Sequence, residues 1–334
     1  MKAVVLVGGF GTRLRPLTLT TPKQMLPVVG TTMLEHVIGG LGAHGVDEVV
    51  LSLGYKEDVF REAYPDGECA GVALTYAVEP EPLDTAGAVR FAAEAAGIDE
   101  TFIVVNGDVF TDLDVTEVWN RHHEVGAEGT IALTPVDDPS RYGVVPTDPD
   151  GKVLGFVEKP APHEAPTNWI NAGTYVLEPS VLQRIDTGRK VSIERETFPA
   201  IVADGGLWAV QSGAYWVDAG TPQTYIDIQL DLIDGVRGTA RQGIADNASI
   251  ADDADVVHSV VMAGARIGPG AVVRDSIVSV GATVAANAVV DGSIVGPGAV
   301  VETGAKLTGL SMLGDGAVAL AGALLDGVRI PESD

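Results

Sequence analysis

The apolar residues of this chain follow two spacings in its first half and a third in its last quarter. Residues 3–7, 49–53, 73–78 and 102–105 are short apolar runs rich in Val, Leu and Ile. Such runs, bounded by polar or glycine positions, read as strands covered on both faces. Between them the spacing lengthens. Residues 32–45 place Met33, Val37 and Leu41 along one face, with Gly45 as a stop, and residues 85–96 form a second helical segment. Strands alternating with helices predict βαβ units and a mostly parallel sheet. From about residue 129 shorter strands and turns, such as 149–151, predict that the sheet becomes mixed. Ligands of such sheets lie beyond the carboxyl ends of the strands. The loops after Val7, Val78 and Val105 are therefore expected to meet at one crevice.

The third spacing begins near Ile250. Val256, Val261, Ile267, Val273, Val278, Val284 and Val290 recur every five or six residues, and Val295, Val301, Leu307 and Leu313 continue in what reads as a second register. Small residues fill the gaps, aromatics all but vanish, and the words IGPGAVV and IVGPGAVV repeat. A helix bundle needs a period of 3.6, and the prolines and glycines at 268–270 and 296–298 oppose it. The pattern predicts a parallel β-helix with three short faces per coil, roughly 17 to 18 residues per coil and four or more coils. With the change of composition near Gly235, this divides the chain into an α/β domain over 1–235 and a β-helix of hexapeptide repeats over 245–330.

Length and charge narrow the class. A chain of 334 residues fits about two domains. The apolar run at 3–7 is too short for a signal-peptide core, and no run approaches the ~18 residues of a membrane helix. The single cysteine, Cys69, excludes an internal disulfide and a cysteine metal cluster. The expectation is a cytoplasmic protein. The six histidines, at 36, 44, 122, 123, 163 and 258, show no metal-ligand spacing; His122 and His123 are expected to face solvent, and Cys69 to be an inert thiol. A net charge of −25 opposes binding to nucleic acid or an anionic membrane. Local charge runs the other way at one place. Residues 1–34 contain no Asp or Glu but carry Lys2, Arg13, Arg15 and Lys23. An acid-free, basic, glycine-rich opening in an acidic protein reads as an anion site.

That opening holds Gly8-Gly9-Phe10-Gly11-Thr12-Arg13 directly after the first strand. Glycines let backbone N–H groups approach phosphate oxygens. Leu14 breaks the dinucleotide-binding G-x-G-x-x-G pattern, and no Gly-Lys-Ser/Thr follows to make a Walker loop. The continuation to residue 28, with Pro16, Pro22 and Pro27, predicts a long loop without secondary structure, a feature that is usually functional.

The wording VLVGGFGTRLRPLTLTTPKQMLPV resembles the signature of sugar-1-phosphate nucleotidylyltransferases, also called nucleotide-sugar pyrophosphorylases, and is most similar to their mannose-1-phosphate guanylyltransferase branch. The resemblance runs through the chain: LDTAG at 83–87, Asn106-Gly107-Asp108, Glu158-Lys159-Pro160, Asn171-Ala172-Gly173, SIERETFP at 192–199, YWVDAGTP at 215–222, and a terminal left-handed β-helix. It implies a Rossmann-like catalytic domain that joins an NTP to a sugar 1-phosphate, giving NDP-sugar and pyrophosphate. It implies nucleotide contacts from Leu6, Gly8, Gly9, Gly11, Thr12, Arg13 and Lys23, and from Asp84, Thr85, Ala86 and Gly87. Sugar-phosphate contacts would come from Asn106, Gly107, Asp108, Glu158, Lys159, Asn171 and Asp218, with Mg²⁺ on Asp108 and Asp218. Arg13, Lys23 and Lys159 would be the catalytic cations. Asp84 departs from the glycine usual there.

The chemistry suits that equipment. A phosphate nucleophile with a second pKa of about 6 is already ionised at neutral pH and needs no general base. Aligning two polyanions and neutralising charge at phosphorus calls for cations and a metal. GTP and mannose 1-phosphate are the favoured pair, with thymidylyl, adenylyl or uridylyl transfer to glucose 1-phosphate as the alternative. A catalytically silent regulatory subunit would lack Asp108, Asp218 or Arg13, and an acyl-transferring β-helix would need histidines where only His258 occurs. Small-molecule substrates and a homo-oligomer assembled or capped through the β-helix complete the expectation. Glu79, Glu81 and Asp84 read either as solvated charges on a proline-stiffened loop or as carboxylates that pair with the N1–H and amine of guanine.

Overall fold

A computed structural model describes residues 1–54, 56–161 and 163–332. The chain divides into two compact units, one of residues 1–9 and 34–216, the other of residues 10–33 and 217–334.

The first unit is built on β1 (Lys2–Leu6), α1 (Met33–Ala43), β2 (Glu48–Leu53), α2 (Glu57–Ala63), β3 (Val72–Val78), α3 (Asp84–Ala95), β4 (Phe102–Asn106), α4 (Val115–Val125), β5 (Gly129–Pro135), β6 (Trp169–Leu177), α5 (Phe198–Ala203) and β7 (Leu207–Gln211). Strands β4, β1, β2 and β3 lie side by side and parallel. The interiors of β4, β1 and β2 are buried on both faces, as continuous apolar runs require, whereas β3, nearer the edge, leaves Ala73 exposed and Thr75 and Tyr76 half-buried and is not covered on both faces as its apolar run predicts. Beyond β4 the sheet becomes mixed. Strand β6 runs antiparallel to β4 and β5, and β7 runs parallel to β5. The core gathers Val4, Val50 and Val104 from the sheet with Val89, Ala92, Tyr175 and Phe198 around them. Leu6 is in register with both Ser52 and Asn106, and Leu53 with Val78, so the parallel strands end level.

The second unit contains the β-helix. Its strands form three parallel sheets of five, one per face. Ser249 pairs with Arg266, Arg266 with Thr283, Thr283 with Val300 and Val300 with Val318, so coils take 17 residues and then 18. The apolar positions form one continuous series. Steps of six, six and five from Val261 through Ile267, Val273 and Val278 recur through Val284, Val290 and Val295, and the next coil takes three steps of six through Val301 and Leu307 to Leu313. What reads as a second register is the same one after its five-residue corner. All these side chains are buried on the coil axis. Two residues before each stands a small residue, Ala265, Ala271, Ala282, Ala288, Ala299 or Ala305 on two faces, all fully buried. On the third face Ser259, Ser276, Ser293 and Ser311 hold that place. Ser259 Oγ accepts from Ser276 N at 3.1 Å, Ser276 Oγ from Ser293 N at 3.0 Å and Ser311 Oγ from Val328 N at 3.1 Å. The hydroxyls continue the ladder where a backbone acceptor is missing.

Residues 10–33 belong to this unit. The expected structureless loop instead contains three single-turn 3₁₀ helices, Thr12–Leu14, Leu17–Leu19 and Lys23–Met25. Leu14, Leu17, Met25, Leu26 and Val28 are buried beneath them. Helix α6 (Pro222–Asp234) supports the far end: Tyr225 Oη donates to Pro27 O at 2.5 Å, and Val29 N to Gln229 Oε1 at 3.2 Å. Among the described residues no helix is long and apolar enough to cross a membrane.

His258 joins α6 to the coils. Its Nε2 lies 3.0 Å from Asp234 Oδ2 and its Nδ1 2.5 Å from Asp275 Oδ1. Both nitrogens can donate only in the imidazolium. The bond to Asp275, helped by Asp234, raises its pKa above the ordinary 6.5. The stabilisation is therefore full below pH 6.5 and is lost as pH rises through the folded pKa. Melting curves of wild type and His258→Gln from about pH 5.5 to about 8.5 should show a difference in Tm that narrows with rising pH. A difference independent of pH would remove the charged clamp.

Candidate functional site

In the first unit the level strand ends present the candidate groups together. Asn106 ends β4, and Gly107 N donates to Leu6 O at 2.9 Å. A Cβ on Gly107 would stand 2.7 Å from Val7 Cγ1 and 3.0 Å from Leu6 O. Only glycine lets the chain turn that close to β1, and Asp108 follows it, half-buried at the strand end. Gly8 leaves β1 on the same side, where its Cβ position lies 3.8 Å from Glu79 Oε1.

The loop 79–84 separates its carboxylates. Glu79 is buried: its Oε1 accepts from Ser52 Oγ at 3.1 Å and its Oε2 from Leu83 N at 2.9 Å. It holds the loop to β2 and is neither a solvated charge nor a group facing a ligand. Glu81 and Asp84 are exposed. Asp84 opens α3 at φ 61, a left-handed conformation that explains the glycine usual at this place; Asp is among the side chains that tolerate it. Its Oδ1 accepts from Thr85 N at 2.9 Å.

Thr85, Ala86 and Gly87 are joined to the segment around Ser192. Thr85 Oγ1 donates to Glu194 Oε2 at 3.1 Å and accepts from Ile193 N at 2.8 Å. Ala86 N and Gly87 N both point to Val191 O, at 2.9 and 3.3 Å. Ser192 Oγ also donates to Glu194, at 2.9 Å. Two motifs singled out separately are thus one construction. Its amides and the Thr85 hydroxyl shape the loop, and Glu194 is the residue that sequence reasoning passed over; its place inside SIERETFP was the available signal.

Lys159 stands at φ 48, with Nζ 3.2 Å from Glu158 Oε1, and is mostly exposed. The two expected sugar-phosphate groups therefore form a local ion pair. Such an exposed pair is weak and can open to a ligand. Asn171 lies at a bulge of β6 against β5. Its Oδ1 accepts from Gly173 N at 2.8 Å and its Nδ2 donates to Tyr175 Oη at 2.8 Å. One donor and one acceptor of the amide thus shape the strand, leaving one N–H and one lone pair for any sugar.

In the second unit Arg13 sits on the first 3₁₀ turn, largely exposed, with Nη2 3.8 Å from Asp218 Oδ2. Asp218 ends the strand Trp216–Asp218. Gly220 was not singled out as a site residue, although it lies in the quoted DAGTP word. A Cβ there would strike Arg13 Nη2, so the guanidinium lies directly over this turn. Gly11, at φ 60, and Thr12 lead into the Arg13 turn, and Thr18 Oγ1 donates to Gly11 O at 2.8 Å. Lys23 is buried at the third turn, with its Cβ close to Gly11. The cations expected to meet phosphate thus differ: Arg13 reaches solvent and Lys23 is packed.

Two side groups fall outside these clusters. His122 is buried and does not face solvent, with Nδ1 3.0 Å from Thr130 Oγ1 and Nε2 3.0 Å from Glu178 Oε1. Burial lowers its pKa. Cys69 is buried, and burial pushes its thiol up to about 11, the reverse of a nucleophile.

Comparison with known proteins gives two family matches: nucleotidyl transferase over residues 2–235, and GlmU-like C-terminal hexapeptide over 231–315. A mannose-1-phosphate guanylyltransferase of Mycobacterium tuberculosis is 41% identical over 280 residues, covering 80% of this chain and 77% of that one. A mannose-1-phosphate guanyltransferase of Aspergillus oryzae is 45% identical over 230 residues, 68% of this chain and 62% of that one. Among solved structures, HddC from Yersinia pseudotuberculosis aligns with a TM-score of 0.59 at 30% identity, covering 68% of this chain and 97% of that chain.

The bonding of Glu79 makes a stability prediction. Glu79→Ala leaves Leu83 N unpaired in the interior and Ser52 Oγ with only the long bond to Ala88 O, at 3.4 Å, and should cost about 1–3 kcal/mol in urea unfolding. Glu81→Ala, on the exposed side of the same loop, should leave the midpoint unchanged. Equal effects would mean that Glu79 does not hold the loop.

Proposed function

This chain belongs to the nucleotidyl transferase family, and we propose that it transfers a guanylyl group from GTP to mannose 1-phosphate, giving GDP-mannose and pyrophosphate. The reading is supported by one observation above the rest: the family match spans 2–235, and Arg13, Lys23, Asp108, Glu158, Lys159, Asn171 and Asp218 all stand within it. The relatives named for this reaction motivate GTP and mannose over other bases and sugars.

The bond that forms joins a phosphate oxygen of mannose 1-phosphate to the α-phosphorus of GTP. The bond that breaks releases pyrophosphate. The nucleophile is ionised at neutral pH, so the protein's work is positioning and charge neutralisation. Arg13, exposed on its turn, takes the β- and γ-phosphates and stabilises the departing pyrophosphate. Lys23 contributes its charge at the α-phosphate. Lys159 leaves Glu158 for the sugar phosphate, which frees Glu158 to accept from sugar hydroxyls.

Asp108 and Asp218 fit Mg²⁺ by their chemistry. Both offer hard carboxylate oxygens, and among the described residues no group of three or more His, Cys, Asp or Glu could hold a metal by itself. Magnesium is commonly bound by one or two carboxylates together with substrate phosphates. When bound, it would neutralise charge on the phosphates undergoing transfer. We read the protein as a cytoplasmic homo-oligomer that acts on these small molecules.

Pyrophosphate release from GTP and mannose 1-phosphate, measured with a coupled pyrophosphatase, tests the activity; no release with any NTP and sugar-phosphate pair would end it. Asp108→Asn and Asp218→Asn should each remove most of kcat while leaving the melting transition in place, and EDTA should do the same to the wild type. Full activity in excess EDTA would dismiss the metal.

Base choice has its own test. Asp84 lies at positive φ, so Asp84→Gly removes the carboxylate with no backbone penalty. If that carboxylate accepts the paired donors of guanine, the GTP-over-dTTP ratio in kcat/KM should fall about tenfold or more. An unchanged ratio would leave base selection to other groups.

A further inference from the structure

The β-helix touches the segment that carries Arg13. Gly314 follows the strand Met312–Leu313, and its N–H donates to Ile330 O at 2.7 Å. A Cβ on Gly314 would stand 2.9 Å from Pro16 Cβ and 3.2 Å from Pro16 Cγ. Gly314 is not in the left-handed region, so the demand for glycine here is one of space alone. Pro16 is buried, between the turn that holds Arg13 and the turn Leu17–Leu19.

The two turns are tied to each other by hydrogen bonds. Leu14 N donates to Gly11 O at 2.9 Å, Arg15 N to Thr12 O at 3.2 Å and Leu19 N to Pro16 O at 3.2 Å. Thr18 Oγ1 closes the set on Gly11 O at 2.8 Å. Leu14 and Leu17 are buried on either side of Pro16. A push on Pro16 therefore reaches Gly11 and Arg13 through one hydrogen bond and one helical turn, while the side chain of Arg13 stays open to solvent.

We propose that Gly314 is a positioning residue for the nucleotide: its missing side chain seats Pro16 against the β-helix and so sets the place of Arg13. The β-helix is then the wall on which the phosphate-binding turn is built, a role separate from assembly. The proposal rests on the reading of Arg13 as a triphosphate contact.

The test compares two glycines of the same solenoid. Gly268→Ala introduces a comparable insult on another face of the solenoid, since its Cβ would meet Ala286 N at 2.9 Å and Ala285 C at 3.0 Å rather than Pro16. Gly314→Ala should raise KM for GTP about tenfold and lower kcat, with KM for mannose 1-phosphate held within about twofold. Gly268→Ala should lower Tm at least as much but leave both KM values unchanged. Pro16→Gly combined with Gly314→Ala should be no worse than Pro16→Gly alone, because the clashing atoms are gone. Hydrogen exchange gives a readout independent of turnover: amides of residues 11–19 should lose protection in Gly314→Ala and not in Gly268→Ala. If the wild type turned over no substrate, the function would be refuted while the exchange result still decided the packing. Equal kinetic effects of the two glycine substitutions, additive losses in the double variant, or unchanged exchange at 11–19 would each overturn the proposal.

Discussion

The in-register pairing of β1 with a parallel strand on each side is the constraint on which the first unit depends. Because Leu6 stands opposite both Ser52 and Asn106, the strands finish at one level. The turns that follow must then pass over one another within a few ångströms. Gly107 satisfies this by lying against Leu6 O and Val7, and Asp108 is delivered to the strand end by that contact. Had β4 been one residue out of register, its side chains would have exchanged faces and Asp108 would have turned elsewhere.

The polar groups of this unit differ in how far the protein itself engages them. Glu79 and Thr85 have both of their hydrogen-bonding capacities engaged by the protein, Glu194 accepts two hydroxyls on one carboxylate oxygen, and Asn171 has half of its own engaged. Low exposure makes an unmet partner costly there, so these groups hold geometry. Glu158 and Lys159 face each other in a partly exposed pair that a phosphate can replace. The buried groups thus fix positions, and the exposed groups remain available for chemistry.

The second unit meets the same problem with a different geometry. Its coils repeat because each face carries a small residue two positions before an aliphatic one, which leaves room for the corner. A solenoid of this kind contacts only its neighbours along the axis and its side walls are free to carry other segments. Residues 10–33 use that wall and α6, and their three short turns are ordered by what lies beneath them. Proline-rich local sequence makes such a segment stiff, and packing decides which conformation it keeps.

The sequence by itself determined the features with a period or a local word. Alternating β-branched runs and helical segments specified the parallel sheet, and steps of five and six specified the coils. Each is legible because its physical cause acts between residues close in the chain. The tertiary structure decided the rest. Glu79 and Glu81 are two residues apart in one polar run, yet only Glu79 is buried, since β2 brings Ser52 to it. His122 reads as a surface residue of a polar helix until β5 supplies Thr130 to its inner face. Thr85 and Glu194, 109 residues apart, form one hydrogen-bonded construction, and Pro16 finds Gly314 near the other end of the chain. Such contacts carry no spacing in the sequence, because they depend on which strands are neighbours and which faces the helices turn inward, and only the folded chain sets those.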